Sequence, residues 1–131
     1  MSKKHSTDAR KSLIYLAVPY GNDPDLAITV SDRLAAQLFN AERYVFSPIC
    51  HYHHMAQKHE MPRGYAFWRD YNLHMLNLCD ELWVICLPGW RSAKGVQDEC
   101  DYAGEIAVPI RYVSPAGSLQ AIASPNPDSV E

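Results

Sequence analysis

The chain has 131 residues, 47% of them hydrophobic and 21% charged. This length and balance suit one soluble domain that buries a core without metal or disulfide staples, and they exclude a chain disordered throughout. Twelve Lys and Arg stand against fifteen Asp and Glu, for a net charge of −3. Lys3, Lys4, Arg10 and Lys11 make the amino-terminal segment basic, so the remainder is more acidic than the whole and ill suited to tracking a phosphate backbone. No apolar run approaches the roughly 20 residues that cross a bilayer. The polar start Met1-Ser2-Lys3-Lys4-His5 does not read as a secretion signal. Cys50, Cys79, Cys86 and Cys100 lack Cys-x-x-Cys spacing, and reduced thiols in a cytoplasmic protein are expected.

Residues 1–12 are expected to form a flexible basic arm. Leu13 to Val18 is a continuous apolar run, as in a strand buried on both faces of a parallel sheet. The turn residues Pro19 to Pro24 end it, and Leu26, Val30, Leu34 and Leu38 then recur at i+4 as the stripe of an amphipathic helix. Tyr44 to Ser47 reads as a second strand, ended by Pro48. Residues 48–65 read as a long histidine-rich lid, either functional or partly helical. Tyr65 to Leu78 reads as a helix with Phe67, Tyr71, Met75 and Leu78 on one stripe. Glu81 to Leu87 is a buried strand, a helix is expected from about Gly95 to Ile106, and Val108 to Val113 is a final strand. Residues 114–131 are proline-rich and expected as a flexible tail. The order β-α-β-α-β-α-β predicts one α/β domain over residues 13–113, flavodoxin-like or Rossmann-like, with a small parallel sheet between helices. Such sheets bind ligands beyond the carboxyl ends of their strands, which singles out residues 19–24, 48–65 and 88–95.

The segment Leu87-Pro88-Gly89-Trp90-Arg91-Ser92-Ala93-Lys94-Gly95-Val96-Gln97-Asp98-Glu99 joins a buried strand to a helix. A helix start offers free N–H groups and the positive end of the dipole, and Ser92 and Gly95 would let a ligand approach the backbone closely. Glu99 lies one turn into that helix, where the dipole would favour its carboxylate. The pattern leaves two readings: a nucleophile at a polar pocket, or a carboxylate that complements the dipole from a solvated face.

Several motifs together resemble the nucleoside 2-deoxyribosyltransferase-like superfamily, which includes nucleoside monophosphate N-glycosidases. They are Tyr15-Leu16-Ala17-x-Pro19-Tyr20, Arg69-Asp70, Cys79-Asp80-Glu81-Leu82-Trp83-Val84 and Gly95-Val96-x-x-Glu99-x-x-x-Ala103. Phe46-Ser47-Pro48-Ile49 and Leu87-Pro88-Gly89-Trp90 are most similar to a small branch of it, a domain of unknown function. The resemblance implies cleavage of an N-glycosidic bond of a nucleoside or its 5'-monophosphate, by hydrolysis or transfer, through a covalent glycosyl-enzyme. It implies Glu99 as nucleophile, Asp70 assisting at the sugar or base, and a tyrosine that orients the nucleophile, Tyr15 by the better motif match or Tyr20, with Tyr20 otherwise binding substrate. It implies no metal and no cofactor, and a homodimer or higher homo-oligomer. Phosphate-binding relatives carry a serine six residues before the nucleophile, where this chain has Ala93, with Ser92 one residue earlier.

His51, His53, His54 and His59 do not show zinc-ligand spacing; His51 and His54 are instead expected to touch substrate from the lid, or to lie on a solvated loop. Trp90 on its loop is a candidate to stack on a nucleobase. Two other functions stay open: a nucleotide-binding or sensing module that lacks turnover, and an interaction scaffold on the same fold.

Overall fold

In the computed structural model the described residues are 11–116 and, for the backbone, 121–122. The expected arm and tail otherwise lie outside them. Elements follow in the order β1 (Leu13–Ala17), α1 (Pro24–Asn40), β2 (Tyr44–Phe46), α2 (Pro48–Lys58), α3 (Tyr65–Asn77), β3 (Glu81–Ile85), α4 (Lys94–Glu105), β4 (Ile110–Val113) and β5 (Ala121–Ile122). The sheet order is β2-β1-β3-β4-β5. β1 to β4 pair in parallel, and the two-residue β5, inside the segment expected as a tail, pairs antiparallel to β4. This is the flavodoxin-like arrangement that alternating strands and helices predict. The chain moves outward from β1 to β2 and returns to the other side of β1 for β3. The strand order therefore reverses between β1 and β3, and a crevice opens beyond their carboxyl ends.

Strand alternation divides the core in two. Ile14, Leu16 and Val18 face α1 and α2, together with Leu34, Leu38, Ile49, Trp83 and Ile85. Tyr15 and Ala17 face the other layer, with Leu76, Leu82, Val84, Val96 and Ala103. At the amino ends of the strands, Glu81 accepts hydrogen bonds from Ser12 Oγ (2.9 Å), Trp83 Nε1 (2.9 Å) and Arg111 Nε (3.2 Å), and it pairs with Arg43 at 3.6 Å. Burial works to raise its pKa, but the hydrogen bonds prevail and hold it below the ordinary carboxylate range. β1 to β4 are thus tied at the edge opposite the crevice.

One local reading is settled and one changes. The stretch after β2 takes the partly helical form, because Ser47 and Pro48 start a helix that runs to Lys58. The Ser47 side chain accepts from Cys50 N, and Pro48 takes the first helical turn, where its missing N–H costs nothing. Ile49, Tyr52, His53 and Ala56 are its buried stripe. In α3 the buried stripe is Trp68, Asn72 and Leu76, whereas Phe67 and Leu78 are exposed. The apolar positions one residue earlier suggest a face rotated by about 100° from the true one. The aromatic anchor is Trp68, stacked on Tyr52 at 3.9 Å between ring centroids and donating from Nε1 to Pro62 O at 2.8 Å.

The two-layer packing makes burial, not hydrophobicity, the predictor of mutational cost. Leu34→Ala, at 1% exposure, is expected to cost about 2–5 kcal/mol. Phe39→Ala, at 53% exposure, is expected to stay within about 0.5 kcal/mol. Urea unfolding midpoints check both, and equal costs would contradict this packing.

Candidate active site

A cavity of about 600 Å³ occupies the crevice at the β1–β3 reversal, within the roughly 300–1,000 Å³ typical of small-molecule sites. All three predicted segments contribute to it: Tyr20 and Asn22 after β1, Tyr52, Arg63 and Tyr65 from the α2–α3 region, and Ser92 to Val96 at the start of α4. No side chain caps α4, because Ala93 stands at the cap position. Its first-turn N–H groups are therefore unmet by a side chain where residues 93–96 form the cavity wall.

Glu99 lies at the buried back of this wall, 5% exposed. Tyr15 O–H donates to its Oε2 at 2.6 Å. Strand alternation turns Tyr15 to the α4 side of β1, and Glu99 falls on the inward face of α4 with Val96 and Ala103. Burial pushes the Glu99 pKa up to about 8, and the Tyr15 hydrogen bond opposes that rise. The expected dipole-stabilised carboxylate is thus corrected. Glu99 lies beyond the first turn, where the dipole's influence has faded, and desolvation dominates. The next residue, Asp98, is paired with Lys94 Nζ and Arg69 Nε, each at 3.1 Å.

Tyr20, Ser92, Gly95 and Glu99 line the crevice, and Tyr15, fully buried and not part of the lining, meets it only through Glu99. Tyr20 is half-buried, with its hydroxyl 2.7 Å from His53 Nδ1. Ser92 donates to Gly89 O at 3.3 Å. Gly95 is required by a close approach: a Cβ there would lie 2.9 Å from the Tyr65 ring. Four expected residues lie elsewhere. The Asp70 side chain is 99% exposed and pairs with Arg69, because the true face of α3 carries Asn72 inward, and residues two apart on a helix do not share a face. His51 is exposed and stacks on Tyr71, and His54 is exposed, its ring set against His53; neither lines the cavity. The helical form of α2 explains this, since it is Tyr52 that faces the cavity. Trp90 is buried in the core against Tyr112, with the Arg91 guanidinium over its ring, and it does not line the cavity.

Tyr52, Tyr65, Asn72 and Arg63 line the cavity without having stood out in the sequence. The stripe of α3, counted from Trp68, was the signal for Asn72. Asn72 Nδ2 donates to Tyr52 O–H at 3.3 Å, while its Oδ1 and the Tyr65 hydroxyl are buried without a hydrogen-bond partner. Among the described residues no group of three His, Cys, Asp or Glu comes together as a metal site, and no helix is long and apolar enough to cross a membrane.

The family described as a domain of unknown function (DUF1937) matches residues 12–114. No curated protein matches the sequence. Among solved structures, a 2-deoxyribosyltransferase from the psychrotolerant bacterium Bacillus psychrosaccharolyticus is similar with a TM-score of 0.53. The two are 20% identical over 83% of this chain and 77% of that one, a likeness of fold.

Two outcomes follow from the Glu99 environment. Tyr15→Phe removes the bond that favours the carboxylate, so the Glu99 titration should move above about 8, read by carbon-detected NMR of the side-chain carboxyl; an unmoved or lower midpoint would contradict the assignment. The folded pKa is raised, so the Glu99 contribution to stability is full below its ordinary 4.5 and is lost as pH rises through about 8. Glu99→Gln should flatten that decline in urea midpoints measured across this range.

Proposed function

The chain belongs to the DUF1937 family, and from that premise we propose that it cleaves the N-glycosidic bond of a nucleoside or nucleoside monophosphate, with Glu99 as nucleophile. The observation that carries this reading is the buried Glu99 on the wall of a nucleoside-sized cavity at the strand-order reversal, held from behind by Tyr15. The fold shared with a 2-deoxyribosyltransferase supports it.

In this mechanism Tyr15 holds Oε2, which leaves Oε1 to attack the anomeric carbon. As the C1'–O bond forms, the C1'–N bond breaks, and its electron pair leaves with the base, which takes up a proton from water. The transition state has oxocarbenium character, and the carboxylate that meets it becomes a glycosyl ester. Water, or a second base in a transferase, then attacks C1' and returns the carboxylate to Glu99. The chemistry parallels a retaining glycosidase with an enzyme nucleophile. Asp70, exposed on α3 and paired with Arg69, is given no step in this mechanism. A carboxyl that titrates near 8 needs alkaline conditions or a positive charge developing on the substrate to act as a base-form nucleophile.

That same protonated carboxyl favours a second reading, a nucleotide-binding module without turnover, in which neutral Glu99 is a hydrogen-bond donor to the ligand.

The test is release of free base, followed by chromatography, from a panel of nucleosides and 5'-monophosphates with and without an acceptor base. Wild-type release should rise with pH through about 8, and Glu99→Gln should lower it by roughly three orders of magnitude or more. Dependence on the acceptor identifies a transferase. No release at any pH, with ligand still bound, identifies the second reading.

A further inference from the structure

The wall that carries Glu99 holds two buried polar atoms whose hydrogen bonds are unmade. Asn72 is 2% exposed and spends Nδ2 on Tyr52, but its Oδ1 has no partner. The Tyr65 hydroxyl is buried and likewise has none. A buried donor or acceptor left unmet carries a desolvation penalty, so such groups in a ligand cavity are places where a ligand completes the set. Both residues line the cavity. Tyr65 is also close to the nucleophile. The Tyr65 ring stands against Gly95, and Gly95 lies one helical turn before Glu99 on the same face of α4.

We infer that Tyr65 and Asn72 read a hydroxyl on the sugar carbon next to the one attacked, so that the substrate is a ribonucleoside or ribonucleotide and not its 2'-deoxy counterpart. This rests on the proposed attack by Glu99. A nucleophile displaces the base from the opposite face of the sugar. Groups that share the wall of Glu99 therefore look at the face away from the base. In a β-ribonucleoside that face carries the 2'- and 3'-hydroxyls, and the 2'-hydroxyl is the one on the carbon adjacent to C1'. A hydroxyl is one donor and two acceptors. The 2'-OH donates to Asn72 Oδ1 and accepts from Tyr65 O–H, which satisfies both orphaned atoms at once. A 2'-deoxy sugar keeps only the 3'-hydroxyl on this face, one carbon further from C1', and lacks the group placed to meet both atoms. Sites built to bond a hydroxyl discriminate strongly against analogues that lack it.

The experiment uses the full chain carrying Glu99→Gln to stop turnover, titrated calorimetrically with ribonucleosides and their 2'-deoxy counterparts. The ribo forms should bind about ten- to a hundredfold more tightly. Adding Tyr65→Phe should bring that ratio down about tenfold while the melting temperature stays level or rises, because the lost hydroxyl had no partner in the free protein. A packing role for Tyr65 would instead lower the melting temperature and leave the ratio alone. Asn72→Ser, checked for folding by circular dichroism, serves as the second variant and should lower the ratio too. Equal binding, tighter deoxy binding, a ratio unmoved by Tyr65→Phe, or no binding of either sugar overturns the inference. Base release by the unmodified chain is scored separately. Release without ribo preference sinks the inference and keeps the glycosyl mechanism; ribo preference without release does the reverse.

Discussion

A carboxyl group shut away from water has to be met by a hydrogen-bond donor, and in this fold Tyr15 meets Glu99. Much of the architecture serves that meeting. β1 sits between β2 and β3, so Tyr15 is in the middle of the sheet and fully buried. α4 packs its Val96–Glu99–Ala103 face on the same layer. The residue that begins this face, Gly95, has no side chain because the Tyr65 ring fills the space. Strand, helix and connector each fix one side of the carboxyl.

The electrostatics follow from the same burial. Asp98 and Glu99 are neighbours in sequence, yet their environments separate them. Asp98 turns outward to Arg69 and Lys94 and keeps its charge: against the effect of burial, those two partners hold its pKa below the ordinary range. Glu99 turns inward to a single hydroxyl and holds its proton to about pH 8. Two carboxyl groups on one helix thus do different work, one binding α4 to α3 and the other facing the cavity.

The sheet was legible in the sequence because its strands are short apolar runs bounded by turn residues, and such runs suit few other structures. The segment Leu87 to Glu99 was legible for a similar reason, since a strand-to-helix junction at a parallel sheet's carboxyl edge has one place to go. The helices were harder. In α3 the apolar residues at 67, 71, 75 and 78 mimic a core stripe, but the large indole of Trp68 wins the buried face by stacking on Tyr52. That rotation carries Asp70 out and Asn72 in. Ser47-Pro48 was a helix start hidden behind a run of histidines, whose polarity suggests a loop. The raised pKa of Glu99 was beyond reach, because it depends on how completely α3 and β1 close over it.

The Glu81 cluster lies at the far rim of the sheet from the cavity. Four strands are clamped there by one carboxylate, which receives donors from β3, β4 and the residue before β1 and an ion pair from Arg43 before β2. Cohesion and recognition are therefore housed at opposite poles of the domain. The three segments around the crevice contribute none of the clamp's partners, so a change of side chain facing the cavity leaves the hydrogen bonds at the far rim as they are.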